Sequence, residues 1–414
     1  MPRIGEVFVP GGQPSITYVA RDELQLETKL RDYLEERHRI LSLSGPTKSG
    51  KTVLIKTVVP SAVWLSGGNI RSSDGFWSSL VDRLGAYTVE TKERTGQESD
   101  SSEFAVGGGV NTVVRAGADV TDRREESRGK RQAFTRTRPN EEVALEQLQT
   151  HDRVLIIDDF HYIESRLQQA IVRGLKSSVF EGLPVILASV PHRAFDAVRV
   201  EKEMTGRVEH VTIPFWSRDE LEGIARSGFD ALNVTATDES TAMLAEHSFG
   251  SPYLMQDFCL QFCKGNGIRE TQPDERVLTE PLWDIFFRDR ASNTSKAAFD
   301  LLAQGPRQRA DRKVRSLRGG RKTDIYGAVL TAIAETGPAT ALPMDQLRAS
   351  LKNVLDEEPP SFQEVARVLE KMSEIAREKI EGEPVLDYDA QYATLYISDP
   401  FFAYFLRWGT HSGF

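Results

Sequence analysis

The stretch that decides the fold is Arg39–Thr52, Arg-Ile-Leu-Ser-Leu-Ser-Gly-Pro-Thr-Lys-Ser-Gly-Lys-Thr. Its apolar beginning, Ile40–Leu43, predicts a buried strand, and the glycine-framed loop that follows fits the pattern G-x-x-x-x-G-K-[ST]. In that pattern backbone N–H groups surround a phosphate, the lysine reaches the β- and γ-phosphate oxygens, and the hydroxyl binds Mg²⁺. A helix from Lys51 to about Val58 would point its positive N-terminal end at the same phosphates. The loop residues expected to hold a nucleotide, here called the P-loop, are Gly45, Pro46, Thr47, Lys48, Ser49, Gly50, Lys51 and Thr52, with Thr52 also a magnesium ligand.

Composition limits the size and class of the protein. The chain has 414 residues, 39% of them hydrophobic, which is enough for two or three packed domains. A net charge of −9 provides no overall attraction to nucleic acid or anionic lipid, although a local basic patch can still bind either. No apolar run approaches the ~18–20 residues that span a bilayer, and the N-terminal residues lack the layout of a signal peptide. We therefore expect a soluble, cytoplasmic protein.

The cysteines support the same compartment. The chain has two, Cys259 and Cys263, spaced i, i+4 in an apolar helical stretch. This spacing predicts two buried thiols in a reducing cytosol rather than a disulfide or a metal site.

A second motif lies in Arg153–His161, where four apolar residues are followed by Asp158 and Asp159. Continuous apolarity predicts a strand buried on both faces of a parallel sheet. Its acids then emerge at the carboxyl edge, where such sheets bind ligands. Asp158 would hold Mg²⁺ through water, and Asp159 would orient or deprotonate the attacking water. A buried strand that merely ends in surface acids is the alternative.

The span 88–140 is rich in Ser, Gly, Arg, Asp and Glu and predicts a flexible insert. Phe104–Val120 places Phe and Val on one face of an extended strand, so we expect an inserted β-hairpin with its return arm at Ser127–Ala133. The return arm is basic, and each Arg or Lys in a bilayer costs about 2–4 kcal/mol. A mobile surface insert, or a contact that orders on assembly, is therefore favoured over membrane insertion.

These motifs resemble those of P-loop ATPases of the AAA+/STAND group, and the resemblance extends over roughly residues 16–408. Val19–Leu24, Val-Ala-Arg-Asp-Glu-Leu, is similar to the segment that begins the nucleotide-binding domain in this group. The resemblance implies that Tyr18 and Val19 contact the base of ATP. An ordinary helix start is the alternative at either residue.

The resemblance also implies two residues that respond to the γ-phosphate. The strand Leu183–Ser189 ends beside the strand of Asp158, where these ATPases place a polar residue called sensor 1, which contacts the γ-phosphate or the attacking water. Ser189 is the first candidate for this residue and Arg193 the second. The alternative is that either residue only caps the strand. Arg207 precedes the last core strand, where this family carries an arginine that reaches the nucleotide of a neighbouring subunit. A surface arginine is the alternative.

A capping box at Ser217–Glu220 begins a helical lid. The tripeptide Gly250-Ser251-Pro252 resembles the Gly-x-Pro of STAND ATPases, whereas initiator and transposition AAA+ proteins usually carry a sensor-2 arginine at this point. The resemblance implies that Pro252 contacts the nucleotide. Proline is also a common first residue of any helix.

Beyond the lid, half of the residues in Arg307–Lys322 are Lys or Arg. Such a run can bind nucleic-acid phosphates. The alternatives are a solvated linker and a segment that docks on the protein's own acidic surface.

Three predicted helices and a short hairpin follow this run, which is the arrangement of a winged helix. The third helix, Ser361–Lys379, balances acids and bases, which is poor for reading a DNA groove. The ending Ile397–Trp408 resembles the aromatic end of the winged helix in archaeal-type STAND ATPases, so its aromatics are predicted to be core of that domain.

We therefore predict an α/β protein with a P-loop NTPase core of AAA+/STAND type, a parallel sheet, a helical lid and a C-terminal winged helix. The predicted divisions are an extended arm at 1–16, the core at 17–216, the lid at 217–270, a linker at 271–322 and the winged helix at 323–414. The resemblance implies a slow ATPase that uses ATP and Mg²⁺, switches between states by self-association, and drives an effector protein. Many bacterial relatives act in stress or phage defence. The alternative function is a DNA-associated AAA+ ATPase that resembles replication initiators or transposition regulators. DNA is a less favoured partner than a second copy of the chain, and a membrane is less favoured still.

Overall fold

The computed structural model describes residues 1–86, 89–95, 131–190, 206–291, 294–307, 312–380 and 384–409. The sensor candidate Arg193 and the patterned piece Phe104–Val120 lie outside these ranges, as do residues 127–130 of the predicted return arm and 308–311 of the basic run. Within the described ranges, no helix is long and apolar enough to cross a membrane.

A five-stranded parallel sheet in the order β2-β5-β6-β1-β7 forms the centre of the N-terminal half. The strands of this half are β1 (Ile40–Ser44), β2 (Val63–Ser66), β3 (Val89–Thr95), β4 (Arg131–Thr137), β5 (Leu155–Asp158), β6 (Val185–Ser189) and β7 (Val208–Thr212). The last residues of the central strands share one edge, because Ser44 pairs in register with both Ser189 and Thr212. The α/β P-loop NTPase fold with a parallel sheet is thereby confirmed.

Helices cover both faces of the sheet, as continuously apolar strands require. They are α2 (Leu26–Glu36), α3 (Lys51–Val58), α4 (Ser73–Leu84), α5 (Asn140–Thr150) and α6 (Ser165–Phe180). A shorter helix, α1 (Ile4–Val7), precedes them in the chain and does not pack on the sheet. On one face, α4, α5 and α6 bury Phe76, Trp77 and Ile171 against the strands. On the other, α2 and α3 bury Leu30 and Ile55.

The described ends of the insert form an antiparallel hairpin. β3 and β4 pair from Val89 with Thr137 to Thr95 with Arg131. β4 shares Arg131–Ala133 with the predicted return arm, while the predicted strand Phe104–Val120 lies outside the described residues.

The lid consists of α7 (Arg218–Leu232), α8 (Asp238–Glu246) and α9 (Pro252–Gly265), with the short paired strands β8 (Val234–Thr235) and β9 (Arg276–Val277). The predicted capping box is present, with Ser217 and Glu220 each accepting from the other's backbone N–H. Cys259 and Cys263 are buried free thiols of α9, as predicted.

Residues 1–16 were predicted as an extended arm without an element, and the structure corrects this. Ile4–Val7 is a helical turn, and Ile4, Val7 and Phe8 are buried in the core of the lid. The backbone N–H of Ile4 donates to the carbonyl of Arg269 at 2.9 Å. The extended arm was predicted from Pro2, Pro10, Gly11, Gly12 and Pro14, and all of these except Pro2 come after the turn.

The segment predicted as a linker, 271–322, is also more ordered than expected. It contains α10 (Trp283–Arg288), α11 (Thr294–Gln304) and the antiparallel pair β10 (Arg315–Ser316) and β11 (Lys322–Thr323). Phe286 and Phe287 join the lid core, and Phe299 joins the C-terminal core. Six residues are too few for α10 to show a helical period, which is why the sequence pattern missed it.

The C-terminal part contains α12 (Ile325–Glu335), β12 (Ala341–Pro343), α13 (Met344–Val354), α14 (Phe362–Lys379), β13 (Leu386–Asp389), β14 (Thr394–Ile397) and α15 (Pro400–Trp408). The strands form one antiparallel sheet in the order β12-β14-β13. The apolar faces of the helices close over this sheet around Ile333, Leu351 and Leu369.

The aromatics of α15 do not all belong to this domain, contrary to the prediction. Phe402 and Phe405 lie in the C-terminal core, whereas Tyr404 lies in the lid core. The hydroxyl of Tyr404 donates to the carbonyl of Phe287, and the Trp408 indole N–H donates to Nδ1 of His247 at 3.2 Å. Thus α15 joins the C-terminal domain to the lid.

Candidate nucleotide site

The P-loop leaves the carboxyl edge of the sheet between β1 and α3. Gly50 has φ +94°, a conformation that a side chain would strain, and it caps α3. The Lys51 ammonium is buried and donates to the carbonyls of Gly45 and Pro46 at 2.7 and 2.9 Å. The loop therefore curls around its own lysine, with the N-terminal end of α3 at its base.

Asp158 ends β5 and Asp159 follows it, and both line the same cavity as the P-loop. Thr52 Oγ1 donates to Asp158 Oδ2 at 3.1 Å, so the hydroxyl and the carboxylate expected to bind Mg²⁺ already lie side by side. Asp159 follows with φ +55°. Burial raises the pKa of the Asp159 carboxyl above its ordinary value, and the charge of Asp158 raises it further. A carboxyl with a raised pKa suits the acceptance of a proton from water.

Unsatisfied polar atoms in this region fit a phosphate ligand. Among the described residues, Thr47 Oγ1, Ser49 Oγ and Ser189 Oγ are buried without a hydrogen-bond partner. Buried hydroxyls normally find partners, because leaving one unpaired costs about 1–3 kcal/mol. Phosphate oxygens would supply acceptors for the hydroxyls in the P-loop. The donor set also fits Mg²⁺, which prefers oxygen ligands and few carboxylates.

A cavity of about 750 Å³ opens beside the P-loop, within the usual range for small-molecule sites. Its wall is drawn from four parts of the chain. The N-terminal arm contributes Val9 and Pro14, the lid contributes Pro252 and Gln256, and the C-terminal part contributes Asp399. The core residues in the wall include Tyr18, Val19, Arg21, Thr47, Lys48, Ser49, Gly50, Lys51, Thr52, Asp158, Asp159 and Trp216.

The predicted base contacts, Tyr18 and Val19, thus share the cavity with the P-loop. The Tyr18 hydroxyl donates to Glu27 at 2.9 Å. Pro252 also lines the cavity as the first residue of α9, where Ser251 caps the helix and Gly250 has φ +71°. The tripeptide therefore has a full structural explanation in the turn between α8 and α9, in addition to its place in the cavity wall.

The remaining predicted residues stand apart from the cavity wall. The Ser189 carbonyl accepts from the Gly45 N–H at 3.2 Å, which places the end of β6 beside the start of the P-loop. Arg207 precedes β7, and its guanidinium lies 5.2 Å from the centre of the Phe180 ring. Among the described residues that line the cavity, neither Ser189 nor Arg207 appears.

Sequence reasoning missed a polar network that ties the P-loop to the lid. The Trp216 indole N–H donates to the Ser49 carbonyl at 2.8 Å. The Arg21 guanidinium lies 4.9 Å from the centre of the Trp216 ring and forms two hydrogen bonds to Glu220, at 2.8 and 3.0 Å. Burial raises the pKa of Glu220, but hydrogen bonds from Arg21 and Ser217 outweigh it and hold the pKa below its ordinary value. The one signal in the sequence was a tryptophan immediately before the capping box.

We expect Trp216→Phe to weaken nucleotide binding about fivefold, the effect of losing one hydrogen bond worth about 1 kcal/mol. Phenylalanine keeps a ring beneath Arg21 but cannot donate to Ser49. Titration with a fluorescent nucleotide measures the change, and Trp64→Phe on β2 is the matched control. An unchanged dissociation constant for Trp216→Phe would show that the indole does not position the P-loop.

Together, the parallel sheet and the loop at its carboxyl edge give this chain an α/β P-loop NTPase fold. Two solved structures illustrate it. The chain is similar to a Walker-type ATPase of Pyrococcus abyssi, with a TM-score of 0.51 and 13% identity over 95% of this chain and 99% of that one. It is also similar to the ORC2 protein of Aeropyrum pernix in its ADPNP-ADP complexes, with a TM-score of 0.50 and 14% identity over 97% and 95%. No family model and no curated protein matches the sequence.

Proposed function

We propose that this chain binds and hydrolyses ATP with Mg²⁺ and acts as an oligomerising switch of AAA+/STAND type. The observation that carries the proposal is the cavity wall, in which arm, core, lid and C-terminal domain all take part. A nucleotide held there would lie within a wall formed by all four of these parts. Its phosphate chain can therefore set how those parts are arranged.

Each residue of the site has a role in this proposal. Mg²⁺ neutralises phosphate charge when bound, and Thr52 and Asp158 would hold it. The P-loop N–H groups and Lys51 bind and orient the phosphates, while Asp159 orients water and accepts its proton. Ser189 would sense the γ-phosphate.

Turnover in such a switch is completed by a second subunit. In this proposal Arg207, which lies outside the chain's own cavity, reaches the nucleotide of a neighbouring copy. The C-terminal domain acts as a winged helix that packs on the lid and closes the nucleotide site. The hydrolysis-defective variant Asp159→Asn tests the proposal, since ATP should hold it in the assembled state; a monomer with ATP and Mg²⁺ would refute it.

A specific observation also supports the second candidate, a DNA-associated ATPase. The turn between β10 and β11 is Leu317–Arg321, in which Gly319 and Gly320 have φ +94° and +82°. Arg318 in the turn and Lys322 at the start of β11 are exposed, and Arg318 donates to the carbonyl of Lys352, itself exposed on α13. This cluster of cations, the basic hairpin, could bind phosphates of a nucleic-acid backbone.

Other members of the basic run are committed to the fold. Arg312 pairs with Asp324 at 2.5 Å, and the buried Arg315 lies 3.5 Å from Glu357. These two arginines serve the C-terminal domain itself. The acidic net charge and the balanced face of α14 also keep the DNA function second.

The double variant Arg318→Gln/Lys322→Gln is expected to reduce the salt slope of DNA binding by roughly 2, the value for two lost phosphate contacts. Fluorescence anisotropy with a labelled duplex at several salt concentrations measures the slope. Arg218→Gln/Arg226→Gln, on the exposed face of α7, is the matched control for charge. The DNA function is ruled out if the unaltered protein does not bind the duplex at low salt, or if both double variants lose equal affinity.

A further inference from the structure

The C-terminal helix α15 begins in the wall of the nucleotide cavity. Its capping residue, Asp399, accepts a hydrogen bond from the backbone N–H of Phe401 at 2.8 Å. The half-buried carboxyl of Asp399 lines the same cavity as P-loop residues Thr47 to Thr52. A phosphate chain bound by the P-loop would therefore share this cavity with a carboxylate from another domain.

The surroundings of Asp399 define its charge. Burial raises the pKa of this carboxyl above its ordinary value, while N–H groups of Phe401 and Phe402 and the charge of Lys48 favour the ionised form. Lys48 is a P-loop residue, and its ammonium also lies 5.9 Å from the centre of the Tyr253 ring on the lid. The charge of Lys48 therefore acts on Asp399 and would act on a phosphate bound by the P-loop as well.

A displacement of Asp399 together with its helix would act on two domains. The helix that it caps is fixed to the C-terminal core through Phe402 and Phe405 and to the lid through Tyr404 and Trp408. Phe401 packs edge-to-face on Tyr253 of α9, with ring centres 5.1 Å apart. A force on the first turn of α15 is therefore transmitted to the contact between the two domains.

We propose that Asp399 determines which nucleotide the closed molecule prefers, by repelling the additional charge of a triphosphate while tolerating a diphosphate. This inference rests on the proposed nucleotide switch and assigns its charge sensor to the C-terminal domain. With a bound diphosphate, the positive charge of Lys48 compensates the negative charge of Asp399, and α15 remains in the cavity wall. With a triphosphate, the like charges favour release of α15 from the cavity wall.

Asp399→Asn tests the proposal, because asparagine keeps an oxygen that can cap α15 but has no charge. We expect the affinity for ATPγS relative to ADP to rise about tenfold, the order expected when one like charge is removed from a partly buried site. Titrations with fluorescent ADP and ATPγS in the presence of Mg²⁺ give the ratio. The matched control is Asp324→Asn, since Asp324 caps α12 of the same domain and, among the described residues, does not belong to the cavity wall.

The outcomes separate this inference from the function on which it rests. A ratio in Asp399→Asn equal to that of the unaltered protein overturns the inference alone. The inference is also overturned if the affinity ratio changes in Asp399→Ala but not in Asp399→Asn. Loss of the helix cap, rather than loss of the charge, would then explain the change in the ratio. Failure of the unaltered protein to bind either nucleotide overturns both the inference and the proposed function.

Discussion

Lys51→Ala is expected to abolish nucleotide binding at micromolar concentrations. The Lys51 ammonium is buried within the P-loop and donates to two of its carbonyls, so it is already placed where the phosphates would lie. Hydrogen bonds to charged groups contribute about 1.5–3 kcal/mol each, so losing the contacts to two phosphate oxygens should weaken binding by about a hundredfold or more. Alanine would also remove the two bonds that hold the loop in its present form.

Titration with a fluorescent nucleotide measures this loss. Lys56→Ala is the matched control, because Lys56 is an exposed lysine of the same helix α3 and stacks 5.6 Å from the Trp64 ring. We expect Lys56→Ala to bind normally, and thermal unfolding should show that both variants are folded. An affinity of Lys51→Ala equal to that of the unaltered protein would mean that the nucleotide site is elsewhere.

Asp159→Asn is expected to bind ATP but to lose turnover by about 10²–10⁴-fold, the usual contribution of a general base. Asparagine keeps the size of the side chain but cannot accept a proton from water. Since hydrolysis would no longer return the molecule to its resting form, we expect an assembly larger than a monomer to accumulate with ATP and Mg²⁺. Phosphate release and multi-angle light scattering measure the two effects.

Two comparisons make this result specific. Asp158→Asn should weaken the dependence on Mg²⁺, because Asp158 rather than Asp159 contacts Thr52. In the unaltered protein, the rate should fall as the pH is lowered through the pKa of Asp159, which burial and Asp158 place above the ordinary value of 3.8. Normal turnover in Asp159→Asn would exclude Asp159 as the base.

The parts of the site that could be predicted are those coded by a few neighbouring residues. Gly50, Lys51 and Thr52 are contiguous, and the backbone conformation of a short loop depends on its own glycine and on the helix that follows. Asp158 and Asp159 were placed beside them by one rule, that the strands of a parallel sheet end at a common edge. The contact between Thr52 and Asp158 confirms that placement.

The parts that could not be predicted depend on packing between elements that are distant in sequence. Periodicity shows that Tyr404 and Phe405 are apolar and buried, but not that they face different cores. Arg312 and Arg315 belong to a basic run for which DNA binding, a solvated linker and docking on the protein's own acidic surface were all open. Their ion pairs place these two side chains within the C-terminal domain. In each case the sequence pattern does not show which residue the side chain contacts in the folded protein.

A parallel α/β core, with a phosphate loop and a pair of acids at one edge, could be predicted from the amino-acid sequence. Those features follow from local backbone chemistry and from the apolar period of single strands. The tertiary structure alone decided what surrounds that loop: Trp216 on the Ser49 carbonyl, Arg21 on Trp216, and Asp399 from the end of the chain. The physical reason is that these neighbours meet only when arm, core, lid and C-terminal domain bury their apolar faces against one another, and no local pattern specifies that meeting.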